Sequence, residues 1–329
     1  MTLEHALVRG VGAAIAPGGE RGRLSVLMYH RVLERHDPLH DFGTPAATFD
    51  AQMAALAEVF NVLPLAEAVE RMRSGRLPAR AVAITFDDGY RDNAELACPI
   101  LRRHGLSATF FVSSGLLDGG IMFHDAVSEA MQRCAADSID LAWLGLGVLP
   151  LSSAPLRSAA IGKVAARIKP LVSSERCEVT RRIAEQAGVP LPTDLMMSSE
   201  QVRGLVAAGM DVGGHTRDHP ILTSIGDDEA REQIVGNKRD LEALTGRPLR
   251  LFAYPNGKPG KDYAPRHAAM VRDCGYEAAV TTAFGSGGIE TDPMQIPRLA
   301  PWEMSTRGFV LRLLAHGWRT RDLQTLAAA

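Results

Sequence analysis

Short apolar runs recur along this chain, each followed by an amphipathic stretch, and that alternation limits the possible folds more than any other feature. The runs are "LSVLMYH" (24–30), "AVAITF" (81–86), "ATFFVS" (108–113), "MDVGGH" (210–215), "LRLFAY" (249–254), "EAAVTT" (277–282) and "QIPRLA" (295–300), with "VFNVLP" (59–64) a shorter candidate. Their two-sided apolar character is that of parallel strands covered on both faces. Between them, "DNAELACPILRRHG", "SSEQVRGLVAAG", "DDEAREQIVGNKRDLEALTG" and "DYAPRHAAMVRDCG" open on capping residues and end on glycine, as helices do. In the first of them Asp92 or Asn93 is the expected N-cap. About seven strand–helix units predict a barrel-like α/β fold, with its functional groups at the C-terminal ends of the strands.

One region breaks the rhythm. From about 117 to 197 the pattern turns helical and irregular ("HDAVSEAMQRC", "SAAIGKVAARIKPLV", "SERCEVTRRIAEQAG"), far longer than an ordinary connection between two strands. It reads as a helical insertion at the pocket rim that governs substrate choice, with a separate interaction module as the alternative.

Composition narrows the partners. With 46% hydrophobic residues and a net charge of −2, the chain can bury a large core, and its scattered Lys and Arg lack the basic stripe that nucleic acid requires. The four cysteines, Cys98, Cys134, Cys177 and Cys274, form no CxxC pair, so buried reduced thiols in a cytoplasmic protein are expected. No apolar run is long enough to span a membrane. The N-terminal "MTLEHALVRGVGAAIAPGGERGRL" lacks the order of a signal peptide and reads as a loose tail, or as a short helix lying on a membrane or a partner.

Chemistry concentrates in two stretches. In "AITFDDGYRDN" Asp87 and Asp88 stand directly after a strand, where alternating side-chain direction lets one carboxylate bind a cation while its neighbour faces a substrate. In "GGHTRDHP" His215 and His219 are four apart after another strand, a spacing that puts two imidazoles on one face of a helical turn. Two His and one carboxylate leave coordination positions open, as a hydrolytic metal needs in order to hold both water and a carbonyl.

"TFDDG" (85–89) and "HTRDH" (215–219) resemble the first two signature motifs of the polysaccharide deacetylases, the NodB-homology enzymes of carbohydrate esterase family 4. "YPNG" and "LMYHRV" are similar to the branch that acts in exopolysaccharide or envelope-glycan production. The resemblance runs from about residue 27 to 299, apart from the insertion. It implies a distorted (β/α)7 barrel, taken over 24–304, and the residues themselves add an N-terminal tail or short helix (1–23) before it and a C-terminal helix (305–329) after it. It further implies a divalent metal, most often zinc, with cobalt or nickel as alternatives, and removal of acetyl groups from sugars. By motif position, Asp87 is then the general base, and Asp88, His215 and His219 are the metal ligands. The substrate partner would be an acetylated glycan or its sugar–lipid precursor. An O-acetyl esterase or a glycan-binding protein with lapsed catalysis are the rival readings.

The later motifs depart from the family pattern. "FAYPNG" (252–257) takes the place of the third, which implies the backbone N–H of Asn256 as oxyanion donor, but the usual arginine position holds Ala253. The fourth-motif carboxylate is missing from "TTAFGSGG". Arg298, in "IPRL", is the candidate to orient Asp87 instead, against a plain surface ion pair. The fifth-motif histidine is also missing, since "LLAH" with His316 sits in the amphipathic stretch "TRGFVLRLLAHGW". His30, closing the first strand, faces the pocket in the related branch and is the candidate acid. His124 is placed at the rim, and the remaining histidines are expected on the surface.

Overall fold

The computed structural model describes residues 15–35, 43–301 and 305–318. The 1–14 portion of the expected N-terminal tail and the chain beyond Trp318 lie outside these residues. Seven parallel strands follow one another in chain order: β1 (Leu24–Tyr29), β2 (Ala81–Phe86), β3 (Thr109–Val112), β4 (Asp211–Gly214), β5 (Leu251–Ala253), β6 (Ala278–Phe284) and β7 (Ile296–Arg298). The sheet curls until its ends meet, where Met28 N–H donates to the Leu299 carbonyl at 3.0 Å and Leu299 N–H to that of Val26 at 2.8 Å. The result is the expected nearly closed (β/α)7 barrel. "VFNVLP" contributes only a two-residue strand, Asn61–Val62, beside the start of β2.

Side-chain parity explains why the strands look apolar throughout. Along β2, Val82, Ile84 and Phe86 join the large cluster with the surrounding helices, while Ala81 and Ala83 join Leu24, Val26, Phe111, Ala253, Val280 and Ile296 in a second cluster. Helix α2 (Leu65–Arg73), which follows α1 (Ala46–Val59), packs Leu65, Ala68, Val69 and Met72 into that second cluster. Gly213 and Gly214 of β4 have no room for a side chain, since a Cβ would lie 2.5 Å from the Phe111 ring and 2.2 Å from the Tyr276 hydroxyl, respectively.

The helices fall where expected, with different caps. After a π-helical turn at Asn93–Ala97 comes α3 (Cys98–Arg103), and neither Asp92 nor Asn93 caps it with a side chain. Ser198 forms a capping box with Gln201 at the start of α7 (Ser199–Ala207). Helix α8 (Asp227–Thr245) instead relies on three acids in its first turn, opposite the helix dipole, and stops at left-handed Gly246. Helix α9 is Pro265–Asp273, and α10, Thr306–Trp318, follows the barrel.

The insertion is not purely helical. It comprises α4 (Phe123–Arg133), an antiparallel hairpin pairing Ser138–Asp140 with Val148–Pro150, α5 (Ala154–Ile168) and α6 (Ser173–Ala187). Val127, Met131, Ile139, Leu149, Val164 and Ile183 belong to a core of its own. The hairpin escapes sequence reading because each strand has three residues and buries only its middle one.

Two expectations need correction. Cys98 and Cys134 are buried, but Cys177 is exposed and Cys274 half-buried, because each of these two lies on the outer side of its segment. His267 and His316 are buried rather than on the surface. His267 accepts the Ala264 N–H inside the α9 cap, and His316 pairs with Ser25 near the start of β1.

Candidate active site

Asp87 continues the inward parity of β2, and its N–H donates to the carbonyl of Tyr29 at 3.0 Å. Arg298 reaches it across the barrel from the end of β7, donating from Nη1 to Oδ1 and from Nη2 to Oδ2, each at 2.7 Å. The guanidinium is itself held, since Nε donates to the Thr281 carbonyl at 2.9 Å and Nη1 to Thr85 Oγ1 at 3.2 Å. Both residues are 2% exposed, so Arg298 is no surface ion pair. Burial pushes the Asp87 carboxyl up, yet the Arg298 charge and hydrogen bonds outweigh it and hold the group below the ordinary carboxylate value.

Strand alternation does not separate the two carboxylates. The strand ends at Phe86, and Asp88 turns away through a left-handed backbone, φ +78°, followed by Gly89 at +93°. The second motif shows the same device. His215 to His219 is a loop rather than a helical turn, and left-handed residues at Thr216 (φ +62°) and His219 (+53°) fold the imidazoles together, with ring centres 4.9 Å apart. Such backbone costs about 1–3 kcal/mol per residue, most for β-branched Thr216, and persists only where the surroundings enforce it. Four of the six non-glycine positive-φ residues among those described (Asp88, Thr216, His219 and Asn256) belong to this site.

The enforcement comes from residues that no motif marks. Asn237 of α8 accepts the His215 N–H at 3.0 Å and donates to the carbonyl of Val112 and to Ser114 Oγ, both at 3.0 Å. Ser113 Oγ donates to the His215 carbonyl at 3.0 Å. Gln233 brackets Asp218, accepting its N–H at 2.9 Å and donating to its carboxylate at 2.6 Å. Asp92, just past the first motif, holds the segment that follows β1 through Arg31 Nε at 2.8 Å and Val32 N–H at 3.0 Å.

Asp88, His215 and His219 each offer one ligand atom, and these atoms all lie within 4.8 Å of one another. His215 Nδ1–H donates to the Ala253 carbonyl at 2.7 Å, so in the neutral ring Nε2 presents a lone pair. That atom and His219 Nε2 each stand 3.3 Å from Asp88 Oδ1, a buried oxygen with no hydrogen-bond partner. Three converging lone pairs repel one another unless a cation lies among them, so this donor set fits a divalent metal. Burial pushes Asp88 up, but the facing imidazoles draw it well below the ordinary value. Burial also lowers His219, to about 3, leaving it a neutral ligand at physiological pH.

The remaining candidates are His30, Asn256 and His124. His30 directly follows β1, is half-buried, and receives Asn93 Nδ2–H on its carbonyl at 2.8 Å. Its ring is close enough to help pull down both Asp87 and Asp88. Asn256 is left-handed at φ +58°, its carbonyl accepting from Thr282 Oγ1 at 2.7 Å. His124 Nε2 lies 3.1 Å from the Tyr90 hydroxyl, which donates to Asp125 at 2.9 Å. Ala253, in the place of the usual third-motif arginine, gives its carbonyl to His215, while Arg298 meets Asp87 from the end of β7.

Comparison with known proteins follows the same lines. The sequence model described as "Polysaccharide deacetylase" matches residues 74–142 and 173–279, more than half of the chain. YxkH of Bacillus subtilis (strain 168) is 34% identical over 121 residues, a stretch covering 36% of this chain and only 41% of that relative. The Streptococcus pyogenes deacetylase PplD, solved with acetate, superposes with a TM-score of 0.60 at 18% identity, over 89% of this chain and 98% of PplD. A de-N-acetylase from Aggregatibacter actinomycetemcomitans gives 0.53 at 15% identity, over 87% of this chain and 99% of its own. At such identities the structural likeness is one of fold. Membership rests on the sequence pattern, which spans both the carboxylate pair and the histidine loop: the chain belongs to the polysaccharide deacetylase family.

Proposed function

We propose that this protein is a metal-dependent deacetylase that removes N-acetyl groups from sugar units of a polysaccharide or of its lipid-linked precursor. The observation that carries this reading is the convergence of three lone pairs beside a second carboxylate held ionised by Arg298. Asp88, His215 and His219 would hold a divalent cation, zinc first, with cobalt or nickel as alternatives. When bound it supplies Lewis acidity toward an acetyl carbonyl and makes water easier to deprotonate.

The chain's own residues divide the remaining work. Asp87 takes the proton of the attacking water, and the fork of Arg298 keeps both carboxylate oxygens in place for it. The Asn256 N–H, for which the described residues provide no hydrogen-bond partner, donates to the oxygen that gains charge as the carbonyl is attacked. His30 gives a proton to the leaving amine, which cannot depart as an anion at neutral pH. The Aggregatibacter fold relative is by name a de-N-acetylase, which supports the amide over the ester. An O-acetyl esterase would use the same groups, and parallel assays on matched amide and ester substrates separate the two. A binding protein with lapsed catalysis would not need a buried, ionised base beside its metal ligands.

His215→Ala and His219→Ala should each lose most of the bound metal, by elemental analysis of the purified protein, and lose acetate release with it. Wild-type metal content in both variants would show the site to be misassigned. His30→Ala should keep its metal and much of its activity on an activated aryl acetate. Its amide hydrolysis should fall by about 10²–10⁴-fold, the usual general-acid contribution. Equal losses on the two substrates would move the proton donor elsewhere.

No helix among the described residues is long and apolar enough to cross a membrane. We place the enzyme in the cytoplasm, with peripheral contact at a membrane surface where the substrate is lipid-linked.

A further inference from the structure

The insertion sets a buried cation beside the site that pairs with no acid among the described residues. Arg176, near the start of α6, is 4% exposed. Its Nη2 donates to the His219 carbonyl at 3.3 Å and to Ser173 Oγ at 3.1 Å, and its guanidinium lies 4.9 Å from the centre of the Phe123 ring. None of these partners is an anion. Asp218 acts on it only from a distance and is already bonded to Gln233. The other arginines at the site are matched, buried Arg298 by Asp87 and half-buried Arg31 by Asp92. A buried guanidinium without a counter-ion is costly.

Three lysines share its field. Lys169 caps the end of α5, and Lys258 and Lys261 follow Asn256 in the third-motif loop. Lys169 is exposed, yet partial desolvation lowers its ammonium, Asp262 opposes this, and Lys261, Lys258 and Arg176 push it further down. Asp262 is itself buried and takes the Lys258 N–H at 2.9 Å. Two cations from the insertion and two from the loop that carries Asn256 thus share one field, and one of them, Arg176, is bonded to the candidate ligand His219. A neutral acetylated sugar has nothing for them to neutralise.

Taking the protein as a glycan deacetylase, we propose that its substrate carries an anion, a carboxylate or a phosphate, next to the acetylated sugar. Arg176 receives that anion through the guanidinium donors that His219 and Ser173 leave unused, assisted by Lys169, Lys258 and Lys261. The insertion thereby selects substrates by charge as well as by shape.

Calorimetry on the full chain decides this with three ligands: N-acetylglucosamine 1-phosphate, a disaccharide containing an N-acetylated hexosaminuronate, and neutral N,N′-diacetylchitobiose. At least one anionic ligand should bind about tenfold or more tightly than the neutral one at low salt, an advantage that shrinks as salt is raised. The better of the two anions identifies phosphate or carboxylate. Arg176→Met should bring the ratio near one. Because that variant also loses the bond to His219, Lys258→Gln/Lys261→Gln on the exposed loop provides a second reading and should cut the ratio severalfold. Equal wild-type affinity for all three ligands overturns the proposal, as does a preference that survives both variants. Acetate release from the same ligands is scored separately. Charge preference without release would remove the deacetylase reading and keep the anion subsite, and release without preference would do the reverse.

Discussion

Asp87→Asn should retain its metal while turnover falls by about two to four decades, the usual contribution of a general base. The substitution keeps the shape of the side chain and leaves Asp88, His215 and His219 untouched, so elemental analysis should return the wild-type metal content. It also leaves Arg298 buried without its charge partner, which costs on the order of 3–5 kcal/mol of stability. Rates are therefore compared at a temperature where circular dichroism shows both proteins folded. Wild-type turnover in the folded, metallated variant would remove Asp87 from the chemistry.

Arg298→Met reverses the situation and should lose a similar 3–5 kcal/mol, now from a buried carboxylate left alone. Its signature is in the pH profile. In the wild-type protein the Asp87 carboxyl is depressed, so the pair's stabilisation is present above the unfolded value of about 4 and disappears as pH falls through the lower folded value. Without Arg298, burial acts with less opposition and the carboxyl rises. The acid limb of kcat/KM should then move to higher pH. Arg298→Lys keeps a charge but not the fork, and should restore stability better than rate. An acid limb that stays in place in Arg298→Met would reduce Arg298 to a structural role.

Much of this was legible in the residues, and what was not has identifiable causes. The barrel strands could be read because burial on both faces makes them apolar without interruption, as "AVAITF" shows at all six positions. Helices α1 and α2 were not marked out, and the insertion hairpin was hidden by its length. The spacing of His215 and His219 is compatible with a helix as well as with a loop, and sequence separation alone does not distinguish them. Arg298 could be nominated to orient Asp87, but the barrel parity that aims it across the lumen emerges only when β7 lies against β6. Asn237 had no signal at all, being one polar residue among many on α8. Only the position of that helix beside the ends of β3 and β4 gives its amide three partners.

The neck of the insertion has a bearing on how the chain assembles. β3 and β4 pair through Thr109 and Asp211, positions separated by the whole insertion, and closing so long a loop of unstructured chain is slow. Yet the chain leaves and re-enters the barrel at a single point. Asp118 N–H donates to the Met197 carbonyl at 3.2 Å, and the Asp118 carboxylate takes both the N–H and the hydroxyl of Ser199. With a core of its own, the insertion can order locally and deliver those two ends side by side. The barrel then experiences it as a short connection, and the neck becomes a natural splice point at which evolution or an engineer can exchange one inserted module for another.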